Sequence, residues 1–216
     1  MNNENAFIIA TSSGEGISEL FLELGADAVM PSVNAAEISS DDFLAAVLKS
    51  NSSRVLLLPN DKEAYRAAKS ITDLCGVTGV SVLPTLSFAE GYAALAAMPR
   101  GVGFSELYES ALGAISTVSS INIVCEAKNG FCGRYSATSG GNICSLAASA
   151  EAALLESIER IFISDRHRII TLIVGKGVTN ARRVFVTERL GELYPDSQII
   201  VYIGGQTASE YYVALR

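Results

Sequence analysis

The sequence lacks tryptophan, contains one histidine and carries few charges for its length. Only 18% of its 216 residues are charged, and 16 basic against 23 acidic side chains give a net charge of −7. An acidic chain does not offer the basic surface that phosphates require, so we expect no nucleic-acid partner. The single histidine, His167, excludes a zinc site with two imidazole ligands. A hydrophobic content of 49% excludes a disordered chain.

Long apolar runs and CxxC pairs are also missing. No stretch reaches the ~18 apolar residues of a membrane-spanning helix, and the polar start Met1–Asn5 lacks the basic residues of a secretory signal. The chain therefore predicts a cytoplasmic protein with no integral membrane span. In that compartment we interpret its four cysteines as unpaired thiols; they are Cys75, Cys125, Cys132 and Cys144.

The first half of the chain alternates between apolar strands and amphipathic helices. Residues 7–10 and 54–58 have the uniformly apolar character of buried strands, and residues 17–24 repeat apolar side chains at helical spacing. Such alternation is typical of βαβ units around a parallel sheet that is covered on both faces. We therefore predict an α/β subdomain over residues 1–100, with a boundary at the Pro- and Gly-containing stretch 99–103.

The second half of the chain has a different sequence pattern. Residues 116–126 and 134–146 are rich in Ser, Thr, Val and Ile and are punctuated by glycines at 130, 133, 140 and 141, which predicts a strand meander. Helices are predicted over 150–161 and 180–193, with strands over 169–174 and 198–203. We predict a second, α+β subdomain over residues 101–216.

The sequence contains no recognisable catalytic motif. The Gly175–Gly177 turn lacks the upstream glycine and the following Ser or Thr of a phosphate-binding loop, and no GxSxG elbow is present. We interpret His167 as part of a solvated polar loop, and Glu151, Glu156 and Glu159 as the exposed face of a helix. No carboxylate pair has a spacing that indicates acid–base chemistry or metal binding, so no catalytic or metal-ligating residue is predicted.

The best candidate for a ligand site is a rim of polar residues that follow predicted strands. In open α/β sheets, ligands bind outside the carboxyl ends of the strands. A dinucleotide fingerprint is not supported, because Glu19 stands where the third glycine belongs. Tight turns and hydroxyl caps on three helices are the alternative interpretation. The predicted ligand-binding residues are Thr11, Ser12, Ser13, Gly14, Gly16, Asn60, Thr85 and Ser87.

Several short motifs occur in an order that is similar to a known family. Together they resemble the C-terminal region of the bacterial dihydroxyacetone-kinase-like proteins of the YloV type, which act as fatty acid kinases. That region in turn resembles the DegV fold of the fatty-acid-binding partner proteins of these kinases. The motifs are Ser13–Gly16, Leu58–Asn60, Pro84–Thr85, Gly91–Leu95, Tyr194–Asp196 and Gly204–Gln206.

The resemblance carries implications for fold, cofactors and partners. It implies a DegV-like α/β fold, with ATP and magnesium bound by a separate N-terminal domain and no cofactor in this chain. It implies two partners, an acyl-binding DegV-like protein and the kinase's own N-terminal domain, and leaves a homodimer open. The chain is a divergent member, because Pro31–Ser39 and Thr207–Tyr211 replace the loops usual in the family.

Three functional hypotheses follow. The first is a non-catalytic C-terminal module of a fatty acid kinase that engages the acyl-carrying partner or mediates assembly. The second is a DegV-like fatty acid binding protein that uses the polar rim. The third is a free-standing enzyme, which one histidine and no activated nucleophile disfavour. The chain alone is not expected to be catalytic, although it resembles part of a phosphotransferase.

Overall fold

The computed structural model describes residues 6–32, 37–73, 79–128 and 131–216, and the chain divides into two units, 1–117 and 118–216. The first unit contains a four-stranded parallel sheet in the order β2-β1-β3-β4. Its strands are β1 (Phe7–Ser12), β2 (Ala28–Pro31), β3 (Val55–Leu58) and β4 (Val80–Val82). Its helices are α1 (Glu15–Glu23), α2 (Ser40–Ser50), α3 (Lys62–Asp73), α4 (Phe88–Ala97) and α5 (Phe104–Thr117). The predicted α/β architecture with βαβ units is confirmed.

Both faces of this sheet are buried, as the uniformly apolar strands predict. On one face, Ile9, Val55 and Leu57 form a core with apolar residues of α2 and α3. The alternate strand residues, such as Leu56 and Leu58, are fully buried as well, because side chains alternate between the faces of a strand. Helices α1 and α4 meet through the stacked rings of Phe21 and Phe88, 5.6 Å apart.

The boundary between the units differs from the predicted one. The structure divides the chain after Thr117, whereas the Pro- and Gly-containing stretch suggested a division after residue 100. The physical reason is that α5 packs against α4 and therefore belongs to the first unit. Pro99, Gly101 and Gly103 form the connection between these two helices, not a link between units.

The second unit has a six-stranded mixed sheet in the order β7-β6-β5-β10-β8-β9. Its strands are β5 (Ser119–Lys128), β6 (Phe131–Ser139), β7 (Asn142–Ala147), β8 (Ile169–Val174), β9 (Gln198–Ile203) and β10 (Tyr211–Leu215), and its helices are α6 (Ala150–Ile161) and α7 (Asn180–Leu193). Strands β5, β6 and β7 form the predicted antiparallel meander. Strands β8 and β9 are parallel and are joined through α7, and the other neighbouring pairs are antiparallel.

One face of the second sheet carries the core of this unit. Apolar residues of β5, β8 and β10, including Ile121, Leu172 and Val213, pack with Leu154 of α6 and Leu190 of α7. Within the described ranges, no helix has both the length and the apolar character needed to cross a membrane.

The cysteines differ from the prediction of unpaired thiols. Cys125 and Cys132 form a disulfide across the β5–β6 hairpin, with Cα atoms 5.7 Å apart. The strands shift register between Glu126 and Ala127, and this shift brings the two cysteines together. Cys144 is a half-buried free thiol. Cys75, Gly130 and part of the divergent loop Pro31–Ser39 (residues 33–36) lie outside the described residues.

Candidate functional site

The candidate site lies at the carboxyl edge of the first sheet. From β1 the chain crosses to β2 on one side, and from β2 it crosses to β3 on the other side of β1. The carboxyl ends of β1 and β3 therefore form a topological switch point, where open α/β sheets bind ligands. Thr11 and Ser12 end β1, and Asn60 follows β3 by two residues. The structure thus brings the predicted residues of these two loops together.

Asn60 connects three loops at this edge. Its Nδ2 donates to the carbonyl of Thr11 over 2.9 Å, and its backbone N–H donates to Oγ1 of Thr85 over 3.1 Å. The backbone of Asn60 is left-handed, with φ of 56°, a conformation that Asn tolerates better than most residues. Its Oδ1 is buried and has no hydrogen-bond partner among the described residues. A Cβ at Gly91 would lie 2.0 Å from that oxygen, so a larger residue there must displace the Asn60 side chain.

The predicted hydroxyls are mostly engaged within the protein. Thr11 Oγ1 donates to the carbonyl of Pro59. The Ser12 hydroxyl bonds to that of Ser18, whose own hydroxyl donates to the carbonyl of Gly14. These bonds consume the donor hydrogens of Thr11, Ser12 and Ser18, since each hydroxyl has one.

Ser87 and Thr85 complete the hydroxyl rim. Ser87 Oγ caps α4 by accepting from the N–H of Glu90, and the Ser87 side chain also bonds to the Glu90 carboxylate. Thr85 is fully buried and accepts from Asn60. The capping interpretation is therefore correct for Ser87, and Thr85 fastens the β3–α3 loop to the β4–α4 loop.

Gly14 and Gly16 shape the start of α1. Gly14 is the N-cap, in extended backbone with φ of −163°, and, being glycine, it supplies no side-chain capping bond. The first N–H groups of a helix have no partner inside the helix and form a local positive potential. Ser13, which is half-buried, lies in the same loop. This end of α1, where the N-cap is a glycine, is the part of the edge that could accept an anion.

Glu90 also lies at this edge, and no local sequence pattern indicated it. Its carboxylate accepts the N–H of Leu86. Burial raises the pKa of Glu90, and the bonds from Leu86 and Ser87 partly offset that rise. A half-buried carboxylate beside the hydroxyl rim opposes the binding of a second negative charge, unless Glu90 is protonated.

Two other polar residues occupy different places from those predicted. His167 is 1% exposed and not solvated; its Nδ1 accepts the N–H of Ile163 at 3.0 Å, and its Nε2 lies 3.3 Å from Ser119 Oγ. Burial, and then the charge of Arg166, lowers the pKa of His167. Because Nδ1 accepts a hydrogen bond, the ring is neutral and carries its proton on Nε2. The partners of His167 explain its burial as a structural role.

Glu151 does not belong to an exposed helix face, unlike Glu156 and Glu159, which are exposed as predicted. Its Oε1 accepts from Arg182 Nε at 2.7 Å and from Tyr211 OH at 2.9 Å, and Arg182 also pairs with Glu210. Burial and the Glu151 carboxylate raise the pKa of Tyr211. This network ties α6 and α7 to β10 within the second unit. Among the described residues, no group of three or more His, Cys, Asp or Glu could hold a metal ion.

Comparison with known protein families identifies a match over nearly the whole chain. The family model of the FakA-like C-terminal region of fatty acid kinases matches residues 7–216. Uncharacterised proteins from Staphylococcus aureus strains MRSA252 and USA300 are each 25% identical over 227 residues. Those alignments cover 100% of this chain, which spans 40% of the length of these relatives.

Solved structures with the same fold include fatty-acid-binding and kinase proteins. A DegV family protein from Corynebacterium glutamicum has a TM-score of 0.70 at 15% identity, covering 100% of this chain and 97% of that one. The fatty acid kinase B3 protein of Streptococcus pneumoniae, loaded with linoleic acid, has a TM-score of 0.69 at 12% identity, covering 98% and 99%. The dihydroxyacetone kinase of C. freundii has a TM-score of 0.65 at 15% identity, covering 99% and 48%. The predicted DegV-like fold is confirmed.

Proposed function

Because this chain belongs to the family of FakA-like C-terminal domains of fatty acid kinases, we propose that it is a non-catalytic module of a fatty acid kinase. Its role is to engage an acyl-carrying, DegV-like partner protein and to join the kinase's own N-terminal domain. ATP and magnesium would be bound by that domain, outside this chain. The assembly would act in the cytoplasm, where ATP is available.

One observation carries this proposal beyond family membership. The switch point of the first sheet, where a ligand would bind, is occupied by the side chain of Asn60 and its bonds to the neighbouring loops. Thr11 donates to Pro59, and Ser87 is used by Glu90. Such a site rigidifies the loops at this edge instead of presenting free donors to a carboxylate. It favours a scaffold that contacts another protein over a lipid carrier.

The experiment is a calorimetric titration of this chain with the acyl-binding DegV-like protein from the same organism, loaded with oleate. We expect saturable binding that is weaker or absent with a protein of the same fold from a distant species. An intact kinase that binds the partner, while this chain does not, would refute the proposal. The N-terminal part of the kinase, tested alone, serves as the control for where binding resides.

A second candidate function is binding of a fatty acid by this chain itself. Its support is the N-terminus of α1 at the switch point, where the N-cap is Gly14 and where a carboxylate can bind. The buried hydroxyl of Thr85 lies nearby in the loop network. Two fold relatives are described as having a fatty acid binding function, one from Thermotoga maritima and one from Thermus thermophilus. Glu90 and the engaged hydroxyls argue against this function.

Native mass spectrometry of the freshly purified chain separates the two candidates. A bound acyl chain would appear as a fixed added mass, and oleate at about 100 times its dissociation constant would stabilise the fold by about 2.7 kcal/mol. We expect neither an added mass nor a thermal shift. A Gly14→Glu variant places a carboxylate at the start of α1. If acyl mass is found reproducibly and disappears in this variant, the second candidate is favoured.

A further inference from the structure

The β5–β6 hairpin contains two strand registers that differ by one residue. On the side of the core, Cys125 pairs with Tyr135. On the side of the turn, Ala127 pairs with Cys132, so β6 has one residue more than β5 between the two pairs. Such an extra residue forms a β-bulge. The disulfide joins Cys125 to Cys132, with Cα atoms 5.7 Å apart, and therefore spans the bulge.

The two bonded cysteines differ in exposure. Cys125 is half-buried and continues the row of Ile121 and Ile123, which are fully buried, because alternate residues of a strand share a face. Cys132 is exposed. Access of the attacking thiolate is one of the factors that control thiol–disulfide exchange. A dissolved thiolate can therefore approach the bond from the side of Cys132 without any opening of the core.

Other interactions hold the two strands together when the bond is broken. Backbone pairing extends from Asn122 to Lys128 of β5, on both sides of the shift. At the shift itself, Glu126 pairs with Arg134 across the strands over 2.7 Å. The cysteines are only seven positions apart in sequence, and a short loop gains less stability from a disulfide than a long one. Reduction therefore leaves two neighbouring thiols in a folded hairpin, where the bond can form again within the chain.

We propose that Cys125 and Cys132 are a reversible thiol–disulfide site that exchanges with a low-molecular-weight thiol and its disulfide. In reduction, a small thiolate attacks Sγ of Cys132, the protein disulfide breaks, and Cys125 leaves as a thiolate. A second small thiolate attacks the small sulfur of the mixed disulfide, forms the small disulfide and releases Cys132. The protons of the two small thiols end on the two cysteines, and oxidation is the reverse. In the cytoplasm disulfides are mostly transient or sensing, and in this respect the inference rests on the proposed function.

Cys144 is a thiol of the same unit that lies too far away to join this exchange. Its Sγ donates to the carbonyl of Ala137 over 3.3 Å. Ala137 is five residues from Cys132, a distance of about 17 Å along β6. From Cys125 it is separated by two strand spacings, about 10 Å, because β6 lies between β7 and β5. Cys144 therefore serves as an internal control.

The first test equilibrates the unsubstituted chain in glutathione buffers that range from the reducing poise of the cytoplasm to fully oxidised. Free thiols are then alkylated and located by peptide mass spectrometry. We expect Cys125 and Cys132 to be reduced together at the cytoplasmic poise and to form their disulfide again at the oxidised end. Circular dichroism should show a folded chain throughout.

Three results would overturn the proposal. A bond that survives the cytoplasmic poise in the folded chain is a structural disulfide. Thiols that stay free in oxidised glutathione do not form the couple, and a glutathione adduct that persists on Cys132 shows that the second cysteine does not displace it. Because neither the kinase nor the acyl-binding protein takes part, failure here leaves the proposed function untouched.

Single serine variants identify the sulfur that is attacked. In Cys125→Ser, the exposed Cys132 has lost its partner and should keep glutathione as a stable adduct in oxidised buffer. In Cys132→Ser, the half-buried Cys125 should react about tenfold more slowly, since access limits the exchange. Cys144→Ser is the matched control and should leave the equilibrium of the pair unchanged. Equal rates for Cys125→Ser and Cys132→Ser would refute the attack at Cys132.

Discussion

The contact between Asn60 and Gly91 allows a quantitative test of the loop network at the switch point. A Cβ added at Gly91 would lie 2.0 Å from Oδ1 and 2.4 Å from Cγ of Asn60, so Gly91→Ala must displace that side chain. Displacement loses the bond from Nδ2 to Thr11, worth about 1 kcal/mol, and overpacking adds about 1–3 kcal/mol. The higher helix propensity of alanine offsets about 1 kcal/mol of this destabilisation. The expected net destabilisation is about 2 kcal/mol.

A double-mutant cycle isolates the clash. Asn60→Gly loses the bond to Thr11 but keeps the left-handed backbone, so it should cost about 1 kcal/mol. In the double variant the clash is gone and the alanine of α4 gains helix propensity. The double variant should therefore be about as stable as the unsubstituted protein and more stable than Gly91→Ala alone, with a coupling energy of about 3 kcal/mol in magnitude.

Urea unfolding followed by far-ultraviolet circular dichroism measures all four members of the cycle. Gly113→Ala in α5 is the matched control, because nothing lies within 4 Å of its added Cβ; it should stabilise the protein by up to about 1 kcal/mol. If Gly91→Ala behaves like Gly113→Ala, or if the two substitutions are additive, the account of the switch point is wrong.

Three further predictions concern the second unit. The pKa of His167 is lowered in the folded state, so the unfolded chain binds a proton more readily. The unfolding free energy should therefore fall as the pH drops below about 6.5. In urea titrations at several pH values, His167→Gln should reduce this dependence on pH. Arg182→Met leaves Glu151 without its cation and should lower the unfolding free energy by about 2 kcal/mol, measured by the same method. This is less than the cost of breaking a fully buried ion pair. Arg189→Met, whose ion pair is exposed, should cost under about 0.5 kcal/mol. Cys132→Ser opens the short disulfide loop and should lower the thermal stability of the oxidised protein by about 2 kcal/mol, with no effect under reducing conditions.

The sequence predicted the elements well because local patterns determine them. Helix α6 and strands β8 and β9 lie at their predicted bounds, since uninterrupted apolar runs and helical periodicity mark them clearly. The candidate residues at the carboxyl edge were also brought together, because parallel strands end on one side of a sheet. The unit boundary was misplaced because Pro and Gly mark a turn between helices as readily as a link between units.

The roles of individual polar residues depended on partners far away in sequence. Polar neighbours made His167 look solvated, but Ser119, the partner of its Nε2, is 48 residues away. Arg182 is 31 residues from Glu151, so no local pattern marks their pair. The disulfide depends on a register shift within the hairpin, which spacing alone does not predict. The hydrogen bond from Thr11 to the carbonyl of Pro59 likewise joins residues that are 48 positions apart and depends on the tertiary fold.

The most direct test of the central proposal is a competition assay with the complete kinase of the same organism. Phosphate transfer to the oleate-loaded acyl-binding protein would be measured with increasing amounts of this chain. We expect inhibition that excess acyl-binding protein relieves, and no phosphate transfer by this chain alone with ATP. Transfer by the chain alone, or an unchanged rate at saturating chain, would contradict the assignment of a non-catalytic module that engages the acyl carrier.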